Sequence, residues 1–494
     1  MAYDLIIIGA GPGGYEVAVE AAHAGKTVLV IEKNALGGTC LNEGCIPTKC
    51  LCHSAEVLDE VREAAALGVN TGEVTFDINA AIARKDAVLD GLRSGIAGLM
   101  KTPGITFVEG EAKFVPGDAH KVVVTPLTGE TEGAVYEGKA VLITVGSVTK
   151  FLPIPGNHSS RVVTSKEMLQ LDHVPERIVI IGGGVIGLEF AGIYNSFGSQ
   201  VTVVEYCKEI LPAFDRDLAK RLRTSLKKKG ITFEVGAAVT EVRDEADNAV
   251  VVYEQKGKVK EVPADVVLMA VGRGANVAAL NLEEAGIEFT PRGIVVDENM
   301  QTNVPGVYAV GDINGLCQLA HAATFQSYRA LNHVLGHSDS IRLDVMPAAV
   351  FTTPEAAMVG LTEEACEAKG IQYKALKSMY RANGRALSMA ADEGLVKILV
   401  ATGPTPSPSP EGRGEITTPN ERTSNAEVST SLPRREGQEG GSVILGAHIL
   451  GAHASDMIHE IAVLMNQGAR ISDLADMVHA HPSLSEIILA AARG

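Results

Sequence analysis

Basic side chains are in the minority: 43 Lys and Arg stand against 60 Asp and Glu, a formal charge of −17. Nucleic-acid backbones and anionic membrane surfaces both call for a cationic face, so neither is the expected partner. A long unbroken apolar run is missing as well. The most apolar window, 178–194, carries several glycines and Glu189, which suits a strand turning into a helix and not a lipid-facing span. No basic segment followed by an apolar stretch and a cleavage site opens the chain. Asp4 stands directly before Leu5-Ile6-Ile7-Ile8, so no leader and a cytoplasmic location are expected. The seven cysteines are too few and the chain too long for a secreted disulfide scaffold. With 494 residues the chain exceeds what one core can serve, and about three domains are expected.

What is present is an internal repeat. Leu5-Ile6-Ile7-Ile8 runs into Gly9-Ala10-Gly11-Pro12-Gly13-Gly14, and Ile178-Val179-Ile180-Ile181 runs into Gly182-Gly183-Gly184-Val185-Ile186-Gly187. Each apolar run is short and continuous, as a strand buried on both faces should be. Each motif is followed by a helical stretch and a second strand ending in an acid, Glu32 and Glu205, both 18 positions after the last motif glycine. The two units match at an offset of 173. A lone GxGxxG is weak, but a strand before it, a helix after it and an acid about 20 residues on make a dinucleotide-binding unit. Gly9 and Gly182 make the tight turn, Gly11 and Gly184 admit a pyrophosphate, and Gly14 and Gly187 let helix and strand pack closely. The helix starts offer free N–H groups and a positive dipole end to phosphates. Glu32 and Glu205 suit a ribose 2′-hydroxyl and would repel a 2′-phosphate, so neither site favours NADP.

Two further strands close such folds: 140–147, with Gly146, and 304–312, with Asp312 at its end in reach of a polyol hydroxyl. From about Leu343 strands and helices continue without Gly-rich loops, which reads as an α+β domain. The stretch 403–441 holds six prolines and four apolar side chains. It cannot bury enough surface to offset its ordering entropy and is expected to be a disordered hairpin tip between strands 394–400 and 443–450.

Four cysteines, Cys40, Cys45, Cys50 and Cys52, crowd into 13 positions after the first repeat. Cys40 and Cys45 are five apart; a distorted first helical turn can join such sulfurs, and a helix start lowers a thiol pKa. Cys45 and Cys50 share that spacing, and four close thiols could also hold zinc or a cluster, although paired CxxC spacings are absent. Cys50 and Cys52 suit the core of the following helix, and Cys207, Cys317 and Cys366 suit buried small hydrophobes. Near the end stands His479-Ala480-His481-Pro482-Ser483-Leu484-Ser485-Glu486, where a histidine held by a carboxylate could serve as a base for thiol chemistry.

These residues resemble one family. GAGPGGY (9–15), GGTCLNEGCIPTK (37–49), GGGVIGLE (182–189), QTNVPGVYAVGD (301–312), FTTPEAAMVG (351–360) and HAHPSLSE (479–486) are similar to the two-cysteine flavoprotein disulfide reductases, and among their branches most similar to the dihydrolipoamide dehydrogenases. The resemblance implies an α/β chain with two Rossmann-like dinucleotide-binding domains and a C-terminal α+β dimerisation domain. The expected order is an FAD-binding part at 1–150, an NAD-binding part at 151–272, a return to the first at 273–342, and dimerisation at 343–494. It implies FAD at Gly9, Gly11, Gly14, Glu32 and Asp312, and NAD at Gly182, Gly184, Gly187 and Glu205. Gly146 and Gly272 are implied as further cofactor-binding glycines, and Lys49 and Glu189 as a pair beside the flavin. Cys40 and Cys45 are implied as a redox disulfide, with Cys40 meeting the substrate and Cys45 the flavin. His481 is the implied base, oriented by Glu486 and acting on the other subunit of a homodimer. Lipoyl-bearing proteins of 2-oxoacid dehydrogenase or glycine cleavage complexes are the implied partners, and no metal is expected.

Three departures stand out. Glu43 takes a usually apolar position, Ser483 replaces a common Thr, and Ala323-Thr324-Phe325-Gln326-Ser327 lacks the acidic residues common in dihydrolipoamide dehydrogenases. The rival readings are a glutathione-reductase-like enzyme, which would want basic residues where Glu205-Tyr206-Cys207 stands, a mercuric-reductase-like enzyme, which would want a terminal cysteine pair, and a non-catalytic assembly subunit.

Overall fold

The computed structural model describes residues 2–127, 133–403 and 442–494. The expected disordered tip at 403–441, apart from Gly403, lies outside the described residues. The chain divides into two compact units, residues 1–213 with 219–353, and residues 214–218 with 354–494.

Within the first unit, the first nucleotide fold is a mixed sheet whose core strands are parallel, with Asp118–Pro126 pairing antiparallel to Ile105–Val115 and to Ala134–Ile143. Strand Ala2–Ile8 lies between Val28–Glu32 and Ala134–Ile143, with Ile6 opposite Leu29 on one side and Val141 on the other. Ile105–Val115 extends the sheet beyond Val28–Glu32, and Val307–Ala309 extends it beyond Ala134–Ile143. Ile6, Ile7, Leu29 and Val30 are fully buried, because both faces are covered. The helices Pro12–His23 and Ala320–Leu335 lie against one face, and Phe114, Val122 and Leu280 fill the other. Burial on both faces is why these strands read as continuous apolar runs without alternation.

The second nucleotide fold repeats this. Its parallel strands run in the order Thr232–Val235, Gln200–Glu205, Arg177–Ile181, Val266–Met269 and Val162–Val163. Helix Val185–Phe197 follows the glycine turn. An antiparallel meander of Ala237–Asp244, Ala249–Gln255 and Lys258–Ala264 packs Val251 and Tyr253 against Val179 and Ile181. The chain enters and leaves this fold through two short strands, Ser147–Thr149 and Arg273–Ala275, which pair antiparallel.

The second unit holds four antiparallel strands in the order Ala356–Gly360, Ile444–Leu450, Leu395–Ala401 and Tyr373–Met379. Helices Ala454–Asn466 and Glu486–Arg493 pack on them. The two strands that flank the Pro-rich stretch are neighbours, as expected of a hairpin. Where they pair, Lys397 lies opposite His448, and both side chains are fully buried. The Lys397 Nζ lies 2.5 Å from Asp215 Oδ1 and 2.8 Å from Glu363 Oε1. Burial pushes the His448 imidazole pKa down, and its Nε2 faces the Leu361 carbonyl oxygen at 3.0 Å. Removing one partner of a buried charge pair strands the other. Lys397→Met is therefore expected to lose about 3–5 kcal/mol of stability, read from the denaturant midpoint; a loss below about 1 kcal/mol would contradict the pairing.

Candidate active site

The two glycine turns differ from within in what their glycines do. A Cβ at Gly14 would stand 2.0 Å from the Gly9 carbonyl oxygen, and one at Gly187 would stand 2.1 Å from that of Gly182. The fold itself therefore requires those glycines. Gly11 and Gly184 are different: a Cβ at Gly11 would meet only the Gly38 Cα at 3.8 Å, and one at Gly184 would meet nothing within 4 Å. Each is the N-cap of its helix and neither helix has a side-chain cap; Pro12 has no N–H and the Gly14 N–H is bonded to the Gly11 carbonyl oxygen, so in the first helix the Gly13 N–H is the first-turn donor left over. Room and unsatisfied donors together fit the pyrophosphate of a dinucleotide.

The two acids are held identically. Glu32 accepts from the Ala10 N–H and the Asn34 N–H, each at 2.7 Å. Glu205 accepts from the Gly183 N–H and the Cys207 N–H, each at 2.5 Å. Both carboxylates are buried and pinned at the mouth of a glycine turn, with lone pairs left for a ribose hydroxyl.

The sequence puts Asp312 at the end of a strand; it lies instead on a 3₁₀ turn, Gly311–Asn314, three positions past the end of strand Val307–Ala309. Its Oδ2 accepts from the Ser147 hydroxyl at 2.5 Å, and the same hydroxyl oxygen accepts from Arg273 Nε at 2.7 Å. A hydroxyl has one proton, so the Arg273 bond directs it onto Asp312 and leaves the other carboxylate oxygen for a ligand. Ser147 and Arg273 were missed in the sequence, although each adjoins a glycine singled out there, Gly146 and Gly272. Both glycines take left-handed φ values, +67° and +101°.

The thiol pair arises from a helix broken in two. Gly38–Glu43 ends at Gly44, and Cys45–Glu63 begins immediately after it. A Cβ at Gly44 would come within 3.0 Å of the Thr39 carbonyl oxygen, so glycine permits the close turn. Cys40 and Cys45 come together across it as free thiols sharing a hydrogen bond. The bond donated by Cys40 outweighs burial and, with the nearby Lys49 ammonium, brings the Cys45 pKa down to about 7. Holding that proton, together with burial, pushes Cys40 far up. A position at the start of a 19-residue helix also favours the Cys45 thiolate.

Lys49 lies one helical turn after Cys45 on the same face. Its Nζ is 2.8 and 2.9 Å from the two oxygens of Glu189, which is buried on helix Val185–Phe197. Burial alone would lower the Lys49 pKa; the carboxylate overcomes this and holds it up. Phe351 completes the pair: its N–H donates to Glu189 at 3.0 Å and its ring lies 4.6 Å below the Lys49 Nζ. Phe351 opens the motif 351–360, whose sequence alone gives no sign of this contact.

The other cysteines do not join the pair. Cys50 and Cys366 are buried, and burial raises the pKa of Cys52. Cys207 and Cys317 are only partly buried, unlike the expected core thiols, because each lies in a loop at the edge of a nucleotide turn. Among the described residues no three His, Cys, Asp or Glu side chains gather as metal ligands.

In the second unit, His481 Nδ1 lies 3.0 Å from Glu486 Oε1, and the other Glu486 oxygen accepts from the Ser483 N–H at 2.8 Å. These two hydrogen bonds hold the Glu486 carboxyl below its ordinary range. An ionised carboxylate can only accept, so Nδ1 carries the proton and Nε2 keeps its lone pair. The His481 side chain is 81% exposed, open to a reacting partner. His479 is different: it is buried against Glu460, with Nε2 at 2.7 Å from that carboxylate.

Two dinucleotide folds and a close dithiol define an FAD-dependent oxidoreductase acting on a disulfide. Residues 3–327 match the pyridine nucleotide-disulphide oxidoreductases, and residues 346–405 and 438–492 match the dimerisation domain of that family. The chain belongs to this family, whose members use FAD and a nicotinamide dinucleotide. The break in the second match falls within the Pro-rich stretch. Dihydrolipoyl dehydrogenase of Bacillus subtilis is 36% identical over 491 residues, 99% of this chain and 95% of that protein. The mitochondrial enzyme of that name from Pisum sativum is 36% identical over 494 residues, 99% of this chain and 90% of that protein. Among solved structures, the Cu(II) complex of the HOCl-induced flavoprotein disulfide reductase RclA from Escherichia coli superposes with a TM-score of 0.81 at 28% identity, covering 100% of this chain and 99% of that one. The chain is thus a lipoamide-dehydrogenase-type flavoprotein disulfide reductase.

The asymmetric pair makes a prediction. In protein reduced with dithiothreitol, iodoacetamide labelling of Cys45, read by peptide mass spectrometry, should rise with pH through a midpoint of about 7, because only the thiolate reacts. Lys49→Met should move the midpoint up. A midpoint at the ordinary thiol value of 9.0 in the unaltered protein would refute the assignment.

Proposed function

We propose that this protein is an NAD-linked dihydrolipoyl dehydrogenase, working as a homodimer. The hydrogen-bonded Cys40–Cys45 pair, with its two thiols pushed to opposite pKa values, carries this reading. In the oxidised enzyme the pair is a disulfide. His481 Nε2 takes a proton from one thiol of the substrate, and the resulting thiolate attacks Cys40 Sγ. The Cys40–Cys45 bond breaks, and Cys45 leaves as a thiolate stabilised by Lys49 and the helix start. The second substrate thiol attacks the substrate sulfur of the mixed disulfide, closes the lipoyl ring and releases Cys40 with the proton. FAD, which Gly9, Gly11, Gly14, Glu32 and Asp312 would hold, would supply a two-electron acceptor linking the dithiol to NAD: the Cys40–Cys45 bond re-forms, Cys40 gives up its proton, and the electron pair with one proton ends on NAD while the proton on His481 is released. One dithiol is oxidised, one NAD is reduced and one proton is released.

Glu486 fixes the tautomer of His481, and Lys49 and Glu189 keep a balanced charge pair beside Cys45. Glu205 sits where a 2′-phosphate would meet a carboxylate, which supports NAD. The family's dimerisation domain supports a second subunit, whose His481 would serve this subunit's Cys40. The dihydrolipoyl dehydrogenases similar to this chain support lipoyl-bearing proteins as partners. No helix among the described residues is long and apolar enough to cross a membrane. The likeness to RclA, a disulfide reductase solved as a Cu(II) complex, favours a second reading, reduction of a different disulfide.

Purified flavin-loaded protein should reduce NAD at the expense of dihydrolipoamide, with NADP and glutathione disulfide as comparison arms. Cys45→Ser should lose at least about a thousandfold in kcat. Full lipoamide turnover by that variant would end the disulfide scheme, and turnover confined to a comparison arm would favour the second reading.

A further inference from the structure

Two ion pairs of opposite sense join the redox segment to the second nucleotide fold, and the reaction scheme uses only one of them. Lys49, on helix Cys45–Glu63, meets Glu189. Glu43, the last residue of helix Gly38–Glu43, meets Lys166 on the short helix Ser165–Met168, with the Lys166 Nζ 2.6 Å from its Oε1. The redox segment thus gives a cation to one pair and an anion to the other, and the four charges cancel. The sequence marks Glu43 as a departure, since an apolar residue is usual at its position.

Both members of the second pair are held in place. The Thr164 hydroxyl caps the helix of Lys166, accepting from the Lys166 N–H at 3.3 Å, and Glu167 accepts from the Thr164 N–H at 2.8 Å. Asn42 ties down the helix that carries Glu43: it donates to the Leu36 and Gly38 carbonyl oxygens, each at 2.9 Å, and accepts from Arg93 at 3.1 Å.

Glu43 and Cys40 share one helix three positions apart, which puts their Cβ atoms about 5–6 Å apart on the same face. Cys45 lies two positions beyond Glu43, across Gly44. A bare carboxylate here opposes the negative charge that appears when Cys45 becomes a thiolate. It also stands at the negative end of its helix. Lys166 cancels both effects. The other charged and titratable groups facing the dithiol are Lys49 and Glu189, with Tyr15 beside Cys40; Glu43 also faces Arg273, and Lys166 faces Glu167.

We propose that the Glu43–Lys166 pair sets how readily the Cys40–Cys45 couple accepts an electron pair, Glu43 opposing the uptake and Lys166 restoring it. In that step the disulfide takes two electrons and one proton from the dithiol that reduces it. The S–S bond breaks, Cys40 becomes the thiol and Cys45 the thiolate. Glu43 and Lys166 are positioning residues that act through Cys45. The inference rests on Cys40 and Cys45 being the redox centre, as proposed above, and not on which dithiol reduces them. Because the two side chains are 38% and 61% exposed, solvent keeps the effect modest.

Two readouts on the flavin-loaded protein test the pair without a physiological substrate. One is the pH midpoint of Cys45 labelling by iodoacetamide in the reduced protein. The other is the disulfide–dithiol equilibrium in dithiothreitol redox buffers at about pH 8, where the Cys45 thiolate prevails, read by peptide mass spectrometry. Glu43→Gln should lower the midpoint by about half a pH unit and favour the dithiol about threefold. Lys166→Met should move both readouts by as much in the opposite direction. Glu43→Gln combined with Lys166→Met should return both close to the unaltered protein. A loosened loop would weaken the Cys40–Cys45 hydrogen bond in each single variant and shift both the same way. Shifts of one sign, or shifts below about 0.2 pH unit in both, would overturn the role of the pair and leave the dithiol scheme standing. If Cys45 of the unaltered protein shows no midpoint near 7, the redox-centre reading and the role of the pair fall together.

Discussion

Two sulfurs five residues apart can meet only if the helix between them breaks, and the chemistry of this protein depends on that break. Gly44 supplies it: the chain turns so closely there that a Cβ would press on the Thr39 carbonyl. The turn leaves Cys40 on a short helix and Cys45 at the head of a long one. The two thiols thereby acquire opposite characters from one shared proton. Cys45 gains a hydrogen bond, a helix start and an ammonium one turn away. Cys40 keeps the proton and carries the burden of burial. A symmetrical pair would offer neither a ready leaving group nor a defined point of attack.

The Lys49–Glu189 pair ties this device to its surroundings. Lys49 belongs to the cysteine helix and Glu189 to the helix that follows the second glycine turn, so one hydrogen-bonded ion pair joins the dithiol to the second nucleotide fold. The same two helices meet again further along, where the Ser196 hydroxyl donates to Asp59 at 2.8 Å and Arg62 donates to the Ser196 carbonyl at 2.5 Å. At the other crossing, Arg273 returns from the second fold and reaches Asp312 of the first through Ser147. Each nucleotide fold therefore supplies a group that steadies the site of the other.

Much of this was legible in order along the chain. The repeat at a fixed offset announced two nucleotide folds, because a strand, a phosphate turn and a helix must follow one another at set spacings whatever lies around them. The structure extends the match to the hydrogen bonds: Ala10 and Asn34 hold Glu32 as Gly183 and Cys207 hold Glu205, again 173 positions apart. The flanks of the Pro-rich stretch read as a hairpin because their apolar runs needed partners. Ser147, Arg273 and Phe351 stayed silent for the opposite reason. Each acts on a residue far away in the chain.

The sequence alone determined the local devices: turns that only glycine allows and helix starts that favour anions; the spacing of Cys40 and Cys45 suited a distorted helical turn, but Cys45 and Cys50 share it. Those rest on backbone sterics and on neighbours within a few residues. Only the tertiary structure decided which thiol holds the proton, which carboxylate balances Lys49, and that Phe325 faces outward while Gln326 faces in. Such outcomes turn on distances between elements and on how much water each side chain loses, and no spacing along the chain records either.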